Sequence, residues 1–225
     1  MPGNFNSYVV SALWALLTIV PTPSHAQPFE PINGRVESFT RPAPADASVS
    51  SLKPRRTSIS PLPHSISIGA ISTEKKSAEI NVNSHPGTPR KIGFGRDVPE
   101  LKNTTDMATR LKWQNTPQGG KIAAISITSP QAKGIRLGIL VRRLPEEVTF
   151  RFYPQGAGVA YEIAGKEILE TIQRNLDAGD SSDAARTYWS PHIEGEEVTL
   201  EIELPSGVSP DNLEIAIPGV SHFFF

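Results

Sequence analysis

The sequence predicts a mainly β protein, an antiparallel, jelly-roll-like β-sandwich with one short helix, preceded by a signal peptide and a disordered linker. Three observations predict it. Beyond residue 120, six stretches carry apolar side chains at every second position, the mark of a strand with one buried face. The breaks between them are filled by Pro, Gly and Ser. One stretch alone shifts to a helical period.

Taken in chain order, residues 1–26 read as an export signal. Tyr8 to Val20 has the length of a signal h-region and is too short to cross a bilayer comfortably. Ser24 and Ala26 place small residues where a cut after Ala26 needs them. Residues 1–7 lack the usual Lys or Arg, and a buried N-terminal helix is the competing reading; Pro21 and Pro23 count against it. Residues 27–90 have the Ser/Pro-rich composition of a linker or pro-region. Within them, Ser65–Ile71 and Glu79–Val82 alternate briefly, enough for one or two edge strands. Arg55-Arg56 is a dibasic candidate for processing, although two basic residues in a Ser/Pro linker are mostly just solvated charge.

Residues 91–225 are expected to form the sandwich. Its strands are marked by Ala123/Ile125/Ile127, Ile135 to Val141, Val148 to Phe152, Val159 to Ile163, Val198 to Leu204 and Leu213 to Ile217. Short strands at this spacing favour a two-layer architecture. Ile168, Leu169, Ile172 and Leu176 form one stripe of an amphipathic helix that Gly179 ends. A strand through Ile168–Ile172 is the alternative. Tyr188 and Trp189 are neighbours, so on a strand they point to opposite faces and only one enters the core. Together with Pro191 they are read as a sandwich corner; a stacking platform for sugar or nucleobase needs more exposed aromatics nearby.

Composition narrows the chemistry. The net charge is −1, and beyond Leu144 there are 15 acidic against 4 basic residues, which argues against nucleic acid as a partner. Cysteine is absent, so thiol catalysis and Cys-ligated metal are excluded. A Ser-His-Asp triad needs an imidazole held beside a nucleophile. His64 and His85 lie in the linker, and neither Gly-Asp-Ser-Gly nor Gly-x-Ser-x-Gly occurs, so no catalytic residue is assigned. Asp177, Asp180 and Asp183 lack the ligand spacing of a calcium loop, and His192 and His222 have no partner at zinc spacing. No cofactor is expected. Glu201 and Glu203 are read as a solvated strand face.

Three blocks carry a family likeness: Ile92–Pro99 (IGFGRDVP), Ser129–Gly156, and Ala185–Pro210 with its Tyr-Trp-Ser-Pro and Glu-Gly-Glu. Together they resemble the non-catalytic N-terminal region of secreted bacterial trypsin-like endopeptidases of the lysyl endopeptidase type. The resemblance implies an exported pro or accessory domain, with no membrane attachment once the signal is removed. It also implies a trypsin-like protease domain as partner, missing from this chain, which would be cut short ahead of it. Phe223, Phe224 and Phe225 would then lead into the joint. The competing function is an independent secreted binding module for carbohydrate or a cell-surface partner. A free-standing inhibitor presenting Arg142-Arg143 is a third reading, weakened because that pair closes a strand.

Overall fold

The alternating stretches fold into two sheets whose apolar positions meet in one layer. The computed structural model describes residues 51–55, 59–72, 74, 77 and 91–224. Its strands are β1 (Ser51–Pro54), β2 (His64–Ser67), β3 (Gly93–Asp97), β4 (Gln114–Asn115), β5 (Lys121–Thr128) and β6 (Gly134–Arg143). They continue with β7 (Thr149–Tyr153), β8 (Val159–Ala164), β9 (Thr187–Trp189), β10 (Ile193–Glu194), β11 (Glu197–Leu204) and β12 (Glu214–Phe223). The helices are α1 (Thr104–Arg110) and α2 (Gly165–Asp177).

The larger sheet runs β1-β8-β7-β11-β5-β2, with β4 sharing the outer edge of β5 with β2. The smaller runs β10-β6-β12-β3, with β9 sharing the outer edge of β6 with β10. Pairing among the described strands is antiparallel except for β2 against β5.

Register explains the core. In the larger sheet Leu200 lies between Ile125 and Phe152, and Ile202 between Ala123 and Phe150. All six are fully buried, and the two phenylalanines meet edge to face at 6.4 Å. Opposite them the smaller sheet supplies Ile135, Leu137, Ile139, Ile215, Ile217 and Val220 to the same cluster. β12 keeps its inward row despite a slip in register between Ala216 and Gly219. Pro218 sits in that slip, where its missing N–H costs no ladder bond, and its carbonyl accepts from Val98 N at 3.0 Å.

The expected helix forms as α2, with Ile168 and Ile172 buried. It packs on β8 and β9. Its start is fixed by the Gly165 N–H donating to Val148 O and the Lys166 N–H to Glu146 O. A side chain at 165 would lie 2.2 Å from Pro145 O, so only glycine fits. Gly179, at φ +89°, turns the chain out of the helix, in the conformation glycine adopts most readily.

Two features depart from the sequence reading. Within residues 27–90, β2 forms at the sheet edge where Ser65–Ile71 alternates, but β1 adds an unexpected strand at the opposite edge, where a ready-made ladder partner orders a segment with a weak pattern of its own. α1 was not anticipated: seven residues are too few for periodicity to register, and its signal is the Asn103 side chain accepting from Asp106 N at 2.8 Å. Tyr8–Val20, Ala26, Arg56, Glu79–Val82 and Phe225 lie outside the described residues.

Candidate functional site

The even positions of β6 (Gly134, Arg136, Gly138) face away from the core, and a ribbon from Thr187 to Glu194 runs antiparallel along that strand's edge. β9 pairs with residues 138–140 and β10 with 134–135. Between them Ser190 continues the ladder twice over. Its N–H donates to Leu137 O and its Oγ accepts from Leu137 N, both at 2.9 Å. The Oγ hydrogen goes to Pro191 O at 2.9 Å. Pro191, with no N–H to give, falls where the ladder is interrupted.

That register decides the Tyr-Trp question. Tyr188 lies opposite Ile139 and enters the core, 8% exposed. Burial pushes its phenol up to about 12. Trp189 lies opposite Gly138 on the outer face, its ring so close that a side chain at 138 would sit 3.1 Å from it. The His192 ring covers Gly134 in the same way, leaving 2.0 Å for a Cβ. Aromatic rings laid over strand glycines restore the apolar cover that the missing side chains would give. Arg136, between the two glycines, donates from Nε to Ser190 O at 2.7 Å and ties the ribbon down.

The patch continues to Phe223 on β12, opposite Gly134, whereas Phe94, opposite His222 and so in register with Ile135, lies on the inner side at the same end of the sheet. The Phe223 ring meets His192 edge-on at 4.9 Å, and Phe94 lies 5.1 Å from His222 and 6.0 Å from Phe224. Phe94, Phe223 and Phe224 are each partly exposed, and Ile92 beside them is 41% exposed. One end of the smaller sheet is therefore apolar and aromatic, with an exposed imidazole at its margin. Burial lowers the His192 pKa; Glu194 raises it and Arg136 lowers it. The structure thus gathers Trp189, Pro191 and Phe223 on or beside one surface, leaves Phe224 beside Phe94, and sends Tyr188 inside.

A serine–imidazole pair does occur elsewhere. Ser129 Oγ lies 2.7 Å from His222 Nδ1, a spacing that nucleophile activation also uses. Here Ser129 is 0% and His222 2% exposed, so the pair is closed off from solvent. Arg96 Nη1 donates to the same Oγ at 2.8 Å, while its Nη2 donates to the carbonyls of Ile68 and Gly69 at 2.7 and 3.0 Å. The cluster ties four separate segments together.

The acidic face of β11 is not the solvated surface expected. β11 is central, and Glu201 is 0% exposed. Arg151 of β7 donates from Nε to Glu162 at 2.9 Å, and from Nη1 to Glu201 at 2.9 Å and Glu203 at 2.6 Å. Tyr153 Oη donates to the second oxygen of Glu201 at 2.9 Å. Burial opposes the Arg151 charge, but the bonds to Glu203, Glu162 and Glu201 outweigh it and raise its pKa. Burial, with the Glu201 charge and hydrogen bond, holds the Tyr153 phenol in its neutral form. Arg151 within an otherwise apolar strand was the available signal. The three aspartates also have local roles: Asp177 accepts from Gln173, Asp180 from Ser182 N, and Asp183 from Arg142. Among the described residues no group of three His, Cys, Asp or Glu is arranged to hold a metal. No helix among them is long and apolar enough to cross a membrane.

Comparison with known proteins adds a family. The profile of the lysyl endopeptidase N-terminal domain matches residues 67–224. A lysyl endopeptidase from Pseudomonas aeruginosa is 35% identical over 144 residues, which cover 61% of this chain and 27% of that relative. The chain thus spans about a quarter of the relative's length.

Two outcomes are expected. Gly138→Val removes the seat of Trp189, so tryptophan emission shifts to the red and urea denaturation shows a loss of about 1–3 kcal/mol. For Glu162, burial raises the pKa, but Lys53 and Arg151 together bring it below the ordinary 4.5. Its stabilising contribution is therefore present above pH 4.5 and disappears as pH falls through the lower folded value. Glu162→Gln is expected to flatten the stability–pH curve in that acid window, as read by thermal melts from pH 6 downward.

Proposed function

The chain belongs to the lysyl endopeptidase N-terminal domain family, and on that premise we propose that it is the non-catalytic pro or accessory domain of an exported trypsin-like serine endopeptidase. In this reading it assists the folding, or restrains the activity, of a protease domain outside this chain. The carrying observation is the extent of the match: 27% of the relative is covered, so most of an endopeptidase lies beyond the matched region.

The chemistry supports a helper. A trypsin-like double barrel depends on non-local strand pairing, which is slow and exposes aggregation-prone edges. A partner that binds the native-like barrel stabilises it by mass action, and linkage in one polypeptide raises the effective concentration. The aromatic end of the smaller sheet, with Phe94, Phe223 and Phe224 partly exposed, is the surface offered to that barrel. Aromatic anchors ringed by polar groups suit such a contact. Ser129 and His222, sealed under Arg96, contribute a tie between segments and no nucleophile.

The test is recovery of activity. A denatured lysyl endopeptidase catalytic domain is refolded with and without this chain at equal concentration, and amidase activity is read after dilution. At least about tenfold more active enzyme is expected with the chain present, the size of a 1.4 kcal/mol bias toward the folded protease. Equal recovery, with no slowing of the folded protease by excess chain, removes both the folding and the restraining role.

A further inference from the structure

A short strand of the leader fills a site on the outer face of the larger sheet. β1 pairs with β8, and Lys53 and Arg55, two residues apart, reach the same outer face. Lys53 Nζ donates to Glu162 Oε1 at 2.9 Å. The Arg55 guanidinium lies over the Tyr153 ring, 4.1 Å from its centroid, and donates to Glu201 Oε2 at 3.2 Å and to Ser60 Oγ at 2.5 Å. A carboxylate 0% exposed and an aromatic face together make a cradle for a cation.

Two features mark this strand as an occupant and not a pillar. The body gives these groups hydrogen-bond partners of its own: Arg151 reaches Glu162, Glu201 and Glu203, and Tyr153 reaches the remaining oxygen of Glu201. Those four charged groups carry a net charge of −2, and Lys53 and Arg55 cancel it. The strand is held by its ladder and its two cations and puts no apolar side chain into the core. Its Leu52 side chain is 56% exposed, and the Arg55 Nε is buried without a hydrogen bond among the described residues. The family match begins at residue 67, beyond this strand.

We propose that the outer face of the larger sheet is a binding site for a basic extended segment with cations two residues apart, which Ser51–Arg55 occupies in cis. The edge of β8 supplies the backbone ladder; Glu162, Glu201 and the Tyr153 ring read the two cations. While the leader is joined to the body, the site is masked. A cut between Arg55 and Ser60 turns that occupant into a separate ligand, and a basic strand of another polypeptide can then take its place.

The experiment uses the full chain and a fluorescein-labelled peptide of residues 49–60, read by anisotropy. One variant carries a specific protease site in place of residues 56–58 and is cut; a second, uncut, carries Lys53→Glu and Arg55→Glu. Both are expected to bind the peptide, with affinity falling as salt rises, and the uncut wild type at least about tenfold more weakly because its own strand competes. A peptide with both cations reversed to Glu is expected to bind none of them. The proposal is overturned if neither variant binds or if the reversed peptide binds equally well. Loss of the native near-ultraviolet circular dichroism in both variants overturns it too, since a removable occupant must leave the body folded. No readout involves a protease domain, so the result stands apart from the proposed function.

Discussion

The pairing of β6 is the constraint on which the rest depends. Its odd residues, Ile135 to Val141, must face the core, and a slip of one residue would turn all of them outward. With that register fixed, one edge receives β12 and the other receives the ribbon of β9 and β10. The outward glycines at 134 and 138 then lie beneath His192 and Trp189. Phe223 is carried to the same margin because it pairs with Gly134. Core register and surface pattern are thus one decision.

The polar interior divides into two devices. The Arg151 network lies across β7, β8 and β11, and its buried charges are held by opposite charges and not by solvent. Desolvating such charges is expensive, and their mutual attraction and hydrogen bonds offset that cost. The Arg96–Ser129–His222 cluster instead spans segments far apart in sequence, binding the carbonyls of Ile68 and Gly69 to β3, β12 and the turn after β5. It explains how part of the Ser/Pro-rich stretch becomes fixed structure.

Much of the fold was legible because burial writes itself into the sequence as a period. Ile125/Ile127, Ile135 to Val141 and Val198 to Leu204 announced their strands, and the stripe from Ile168 to Leu176 announced α2. The rest is set by partners that a local pattern does not contain. Ser51–Pro54 is a strand because β8 offers an edge. Glu201 is buried because Arg151, fifty positions earlier, lies beside it. The choice between Tyr188 and Trp189 depends on Gly138 across the ladder, and the glycines of Gly134-Ile-Arg-Leu-Gly138 were the one written hint.

The proposed role places the functional weight on a surface and not on a reactive group. The aromatic end formed by Phe94, Phe223 and Phe224 is where this domain would meet a protease, and amide hydrogen exchange tests that most directly. The measurement compares this chain alone with the same chain bound to a lysyl endopeptidase catalytic domain. The account expects slowed exchange along β3, the end of β12 and the Thr187–Glu194 ribbon. Unchanged exchange at all three, with protection confined to other surfaces, contradicts it.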